Sequence, residues 1–140
     1  MNDRLLEQIL EIAAAAGRTA MEHYGGDGPV EYKEDDSPLT LADKAAHFVI
    51  VNSLQVLDPW LPVLSEESAE EEIADRKTWS DFWVVDPLDG SKEFIKETGQ
   101  FTVNIARVQG DEPVLGVVYV PVTGEFYYAT REGGAFAVRA

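Results

Sequence analysis

Two periodicities divide the chain. Leu5, Leu6, Ile9, Leu10, Ile12, Ala13 and Ala16 recur at helical spacing and predict an amphipathic helix from about residue 3 to 24. Gly25-Gly26 stops it, glycine being a common residue just past a helix end. A polar stretch from Asp27 to Ser37 leads into Pro38, and a second helix is expected from Thr40 to about Leu57, with Pro59 after its end. From Phe82 the pattern becomes β. Phe101, Val103 and Ile105 alternate with Thr102 and Asn104, the mark of a half-buried strand. Val114 to Val120 is a longer apolar run. Glu125 to Thr130 and Ala135 to Arg139 complete a meander, with turns at Gly110-Asp111, Thr123-Gly124 and Gly133-Gly134. The expected class is α+β, with two N-terminal helices packed on a mainly antiparallel sheet. The 140 residues suffice for one compact core, uninterrupted by repeats or linkers. Glu66 to Asp75 is dense in acids and reads as a solvated helix with no catalytic role beyond its first residue.

The most specific signal lies where an apolar run meets acids. Trp83-Val84-Val85 ends in Asp86-Pro87-Leu88-Asp89-Gly90-Ser91, and a short helical start follows at Lys92-Glu93-Phe94. Asp86 and Asp89 offer hard oxygen ligands, Gly90 permits close backbone approach, and Ser91 brings a hydroxyl to the start of a helix. That combination suits a divalent cation holding a phosphate. Asp-Gly is equally a common turn signal. A second acidic cluster, Ser65-Glu66-Glu67-Ser68, follows the apolar run Trp60 to Leu64. Two strands ending in carboxylates can present them side by side. Like charges gathered in that way repel unless a cation sits between them.

Several residues carry more than one reading. Thr40-Leu41-Ala42-Asp43 fits a helix start, with Thr40 as N-cap and an acid at the third helical position. Ser91 fits a helix cap as well as a chemical role. Lys33 reads as a solvated loop lysine, His23 and His47 as helix-surface or packing residues. Trp60, Trp79 and Trp83 read as packing residues rather than a base-stacking platform.

Composition narrows the classes. Without cysteine there is neither a disulfide frame nor a thiolate metal site, and two histidines argue against an imidazole-rich zinc site. A net charge of −15 argues against nucleic-acid binding. It would also repel a phosphate substrate, a conflict that bound cations resolve locally. Met1-Asn2-Asp3-Arg4 lacks the basic start of a signal peptide, and no apolar run approaches a membrane span, so the expected location is the cytoplasm.

Glu66-Glu67, the run Asp86 to Ser91, and Thr40-Leu41-Ala42-Asp43 upstream together resemble the inositol monophosphatase superfamily, which comprises magnesium-dependent, lithium-sensitive phosphatases. Ser91-Lys92-Glu93-Phe94-Ile95-Lys96, with Phe101 to Ala106 after it, is closer to the CysQ-type 3′(2′),5′-bisphosphate nucleotidase branch. The resemblance implies the N-terminal half of an αβαβα sugar-phosphatase sandwich. Residues 1–140 are then an N-terminal metal-binding domain, with the family's C-terminal domain absent. It implies Glu66, Asp86, the Leu88 carbonyl and Asp89 as metal ligands, for two or more magnesium ions in a complete site. Glu67 is either a participant or a solvated neighbour. Substrate contacts fall to Glu66, Leu88, Asp89, Gly90 and Ser91, and catalytic roles to Asp43, Glu66 and Ser91. The family has threonine where Ser91 stands, and serine keeps the hydroxyl while losing the methyl. Asp43 then accepts a proton through that hydroxyl, in a relay with the attacking water.

The implied reaction is phosphomonoester hydrolysis by direct attack of an activated water, without a phosphoenzyme. The implied substrate is adenosine 3′,5′-bisphosphate, giving AMP and phosphate. Inositol monophosphatase activity is the nearest alternative, though Lys92-Glu93-Phe94 favours the nucleotidase branch over one showing Thr-Asn-Phe. An alternative of another class is a catalytically incomplete metal-binding half-domain. Glu66, Asp86 and Asp89 supply only three carboxylates for two cations, and the family draws a further aspartate from its C-terminal half. Self-association, or pairing with such a half, follows from that reading. Family relatives can also lie peripherally on the cytoplasmic face of the inner membrane.

Overall fold

The structure, a computed structural model, describes residues 3–25, 30–32 and 38–139. Helix α1 covers Asp3–Met21 and helix α2 covers Leu41–Leu57. A small antiparallel hairpin of β1 (Val30–Tyr32) and β2 (Pro38–Thr40) enters α2. The hairpin was not expected: β1 lies within the polar stretch and β2 just after it, and Lys33 lies outside the described residues. The main sheet comprises β3 (Val63–Ser65), β4 (Asp81–Asp89), β5 (Thr102–Gln109), β6 (Glu112–Val120), β7 (Glu125–Thr130) and β8 (Gly134–Val138), in that spatial order. Only the β3–β4 pair is parallel; the others form an antiparallel meander. Helix α3, Ser91–Ile95, interrupts it between β4 and β5. The α+β arrangement of two helices on a mostly antiparallel sheet is therefore the one that forms.

Alternation along the strands explains the core. Trp83 and Val85 of β4, Val103 and Ile105 of β5, and Leu115 and Val117 of β6 face Ile9, Ala13 and Ala16 of α1 and Ala46, Ile50 and Leu54 of α2. These side chains are essentially sealed from solvent, and burial of such surface is the main force holding helices to sheet. Val84, between two core residues, points to the other face and stays exposed. A second cluster joins Ala20, Ala42, Leu88, Phe94 and Phe101, with Met21 and Tyr24 against it. The Phe94 ring meets Phe101 edge-on at 5.0 Å and Tyr24 at 5.4 Å. This cluster clamps α3 and the end of β4 to α1 and α2.

Two sequence expectations fail. Residues 66–75 form no helix; the segment has a 3₁₀ turn at Glu70–Glu72, followed by another at Arg76–Thr78. Consecutive glutamates repel, and Ile73 alone gives no apolar stripe with which to dock a helix. Trp60 is not a packing residue, being 90 % exposed, whereas Trp83 is in the core and Trp79 lies against Phe82 with ring centroids 6.0 Å apart. Among the described residues no helix is long and apolar enough to cross a membrane.

Candidate active site

The parallel pairing of β3 with β4 sets the site. Ser65 lies opposite Val85, and the Glu66 N–H donates to the Val85 carbonyl at 3.0 Å. Glu66 and Asp86, the next residue on each strand, are thereby brought side by side. The strand does not stop at the first aspartate as expected. β4 runs on through Pro87 and Leu88 to Asp89, with its register broken between Asp86, opposite Asn104, and Asp89, opposite Thr102. Such an irregularity is where a strand tolerates proline, which has no N–H to give the ladder. The Leu88 side chain is buried in the second core cluster.

Burial, and after it the charges of Asp89 and Glu66, push the Asp86 carboxyl up to about 6, against a hydrogen bond from the Leu88 N–H; Glu67 adds to the rise. The folded chain thus binds this proton more tightly than the unfolded chain. The contribution of Asp86 to stability is therefore full at low pH and is lost as pH rises from about 4 through about 6. Asp86→Asn should accordingly raise the melting temperature of the metal-free chain at pH 7. A rise from 3.8 to about 6 corresponds to at most about 3 kcal/mol, which partial exposure discounts to about 1 kcal/mol. Thermal melts of both proteins at pH 4.5 and 7 check this. A variant less stable than wild type at pH 7 would mean that the carboxylates do not crowd one another.

Beyond Asp89 the chain turns sharply. Gly90 takes φ 96°, and a Cβ there would lie 2.9 Å from the Gln100 carbonyl oxygen, so both backbone and space demand glycine. Gly90 is also the N-cap of α3, with no side-chain capping bond. Ser91 is therefore not the cap, as one reading had it, but the first helical residue. Its hydroxyl turns to α2 and donates to Asp43 Oδ1 at 2.8 Å.

Asp43 caps α2 and also receives Ser91. Its Oδ2 accepts from the Thr40 N–H at 2.7 Å and from the Thr40 hydroxyl at 2.6 Å, and its own N–H donates to Thr40 Oγ1 at 3.3 Å. The capping box is complete. One carboxylate oxygen thus holds the helix end while the other receives Ser91, and the residue is 1 % exposed. The phenylalanine cluster beneath α3 keeps Ser91 in place.

Some neighbours were not singled out by sequence. Ser65 Oγ lies 2.8 Å from Nδ1 of buried His47 and accepts from the Glu67 N–H at 3.3 Å. His47 is thus more than a packing residue; the only local signal was its place one turn after Asp43. Asn104 and Thr102, joined by a 2.9 Å hydrogen bond, stand opposite Asp86 and Asp89 on β5. A cavity of about 460 Å³, lined in part by Arg4, Gln8, Trp83, Arg107 and Arg131, lies toward the opposite end of β4 and includes none of the acidic residues above.

The donor set suits a hard cation in its chemistry: every ligating atom would be oxygen, and the carboxylates are close enough to raise Asp86. Even so, among the described residues no group of three His, Cys, Asp or Glu side chains is gathered to hold a metal ion.

The inositol monophosphatase family model matches residues 1–139. The chain belongs to the inositol monophosphatase family. It is 53% identical over 135 residues to the 3′(2′),5′-bisphosphate nucleotidase CysQ of Salmonella typhimurium, covering 94% of this chain and 54% of that protein. Among solved structures, it is 43% identical to CysQ from Bacteroides thetaiotaomicron, a bacterial member of the inositol monophosphatase family, with a TM-score of 0.78 over 96% of this chain and 49% of that one. The extragenic suppressor protein suhB of Bartonella henselae superposes with a TM-score of 0.85 at 30% identity, over 96% of this chain and 52% of that one. The chain spans about half the length of the family members it matches.

Proposed function

We propose that this chain carries the metal-binding and proton-relay residues of a magnesium-dependent phosphomonoesterase that converts adenosine 3′,5′-bisphosphate to AMP and phosphate. The observation that carries the reading is the 2.8 Å hydrogen bond from Ser91 to Asp43, made across 48 residues of chain and two residues beyond Asp89. The bisphosphate is chosen because the Salmonella typhimurium relative, 53% identical, is named a 3′(2′),5′-bisphosphate nucleotidase.

Glu66, Asp86, Asp89 and the Leu88 carbonyl would hold the ions. When bound, magnesium would neutralise phosphate charge and acidify a water. The remaining work belongs to the chain. Because Ser91 donates its hydrogen to Asp43, its oxygen lone pairs can accept a hydrogen from a water. Asp43 Oδ1 takes the Ser91 proton as Ser91 takes that of the water. Thr40 fixes the carboxylate by holding Oδ2, so Oδ1 stays aimed at Ser91. Gly90 admits the Gln100 carbonyl and the φ of 96° with which the chain enters α3, and so sets where Ser91 stands.

Residues 1–140 act in this reading as an N-terminal metal-binding domain, and further ligands reach the cations from outside these residues. Three carboxylates are few for two ions, and they are not gathered as a triad. A chimera tests the function, with these residues replacing the matching segment of the Salmonella typhimurium relative. Phosphate release is measured on adenosine 3′,5′-bisphosphate and on inositol monophosphate. Magnesium-dependent release, faster from the bisphosphate, is expected. Faster release from inositol monophosphate would move the substrate to that class, and none from either would overturn the proposal.

A further inference from the structure

We propose that His47 is a positioning residue for the Glu66–Glu67 segment, acting through Ser65. The inference rests on the reading of Glu66 as a magnesium ligand. His47 sits on α2, 9 % exposed, with Nδ1 2.8 Å from Ser65 Oγ; Ser65, the last residue of β3, is 3 % exposed. The turn after β3 is tied together around this serine. Its Oγ accepts from the Glu67 N–H at 3.3 Å, its N–H donates to Ser68 Oγ at 3.2 Å, and its carbonyl accepts from the Ser68 N–H at 3.0 Å. Glu66, in the middle, is held by its own N–H on the Val85 carbonyl.

One arrangement of hydrogens pairs every group in this contact. Glu67 supplies a hydrogen to Ser65 Oγ, so the Ser65 hydroxyl hydrogen needs an acceptor of its own. Neutral His47 with its hydrogen on Nε2 provides that acceptor at Nδ1. Burial holds His47 below the ordinary imidazole range, against the opposing charges of Glu72 and Glu67, which keeps the ring neutral and one of its nitrogens able to accept. Removing the imidazole would leave a buried hydroxyl without its partner and free to rotate away from Glu67. The turn bearing Glu66 would then lose its tie to α2.

That tie has a geometric use. His47 lies one helical turn after Asp43, so the two side chains share one side of α2. Asp43 receives Ser91, and His47 receives Ser65. A single helix, fixed in the core by Ala46, Ile50 and Leu54, thereby locates both the relay and the Glu66 turn. Partners hydrogen-bonded directly to a metal ligand are commonly worth about 10- to 100-fold in affinity; this tie reaches Glu66 only through the backbone of its turn, so the low end, about 10-fold, is the expected size.

The test titrates manganese into the 140-residue chain by calorimetry, comparing wild type with His47→Leu, His47→Asn, Ser65→Ala and Glu66→Gln. Amide hydrogen exchange at Glu67 and thermal melts are recorded for each. His47→Leu and Ser65→Ala should weaken manganese binding by up to about 10-fold and speed exchange at Glu67. His47→Asn, whose amide reaches the Nδ1 position, should restore both. A lower melting temperature in His47→Leu with affinity and exchange unchanged would overturn the positioning role. The two readings also fail separately. Unchanged affinity in Glu66→Gln removes Glu66 as a ligand, while Glu67 exchange still reports on His47; unchanged exchange in His47→Leu overturns the inference whatever Glu66 does.

Discussion

Replacing Ser91 by alanine, or Asp43 by asparagine, in the catalytically competent chimera lowers turnover by about 10²- to 10⁴-fold, the range expected when acid–base assistance is lost. Metal affinity should change little, because neither residue is a proposed ligand. The two variants fail for different reasons. Alanine removes the hydroxyl that links water to carboxylate. Asparagine has one acceptor oxygen where Asp43 uses two, for the Ser91 hydroxyl on one side and for Thr40 on the other. The amide must abandon either the relay or the cap. Loss of the cap shows as a stability cost of about 0.5–2 kcal/mol; loss of the relay shows in turnover. A lowered melting temperature with intact turnover in Asp43→Asn would leave Asp43 a capping residue alone. Ser91→Thr should keep or improve activity, since the added methyl restricts the hydroxyl without removing it.

The 140-residue chain alone should hydrolyse adenosine 3′,5′-bisphosphate at least about 10²-fold more slowly than the chimera. Three carboxylates and one carbonyl leave two cations to be completed by water, and no three acids are gathered as a metal site among the described residues. Water ligands position a phosphate loosely, and misplacement by about 1 Å can cost on the order of 10²-fold. Val84 and Tyr127 on the sheet face away from the helices, and Phe136 and Val138 on the helix side of β8, are exposed and also offer surface for self-association. Phosphate release by the purified chain, with and without a separately expressed second half of the CysQ relative, checks both points. Robust magnesium-dependent turnover by the chain alone would require a further ligand within it or from a second copy.

Much of the fold follows from local pattern. The helical stripe on α1 and the alternation of Val103 and Ile105 report which side meets the core, and that is what burial selects. The end of α2 at Leu57 and the turns of the meander were equally legible, because capping and turn residues act over a few positions. The failures have both local and long-range causes. Trp60, between Pro59 and Pro62, projects into solvent, whereas Trp83 stands in an apolar strand that the helices cover. The His47–Ser65 contact joins residues 18 apart and depends on β3 lying beneath α2. Within the candidate site, the motif supplied the acids, but only the parallel β3–β4 pairing brings Glu66 beside Asp86. Asp43 is the clearest instance. Its capping role can be read from Thr40 three residues before it, whereas its bond to Ser91 needs α3 folded back on α2.

Calorimetric titration of magnesium and manganese into the 140-residue chain decides whether Asp86 and Asp89 belong to a cation site. Weak saturable binding is predicted for the wild-type chain, with manganese able to substitute for magnesium because every donor is oxygen. Asp86→Asn and Asp89→Asn should each abolish it or weaken it severely. Unchanged binding in both variants would contradict the assignment and leave the acidic loop a structural turn.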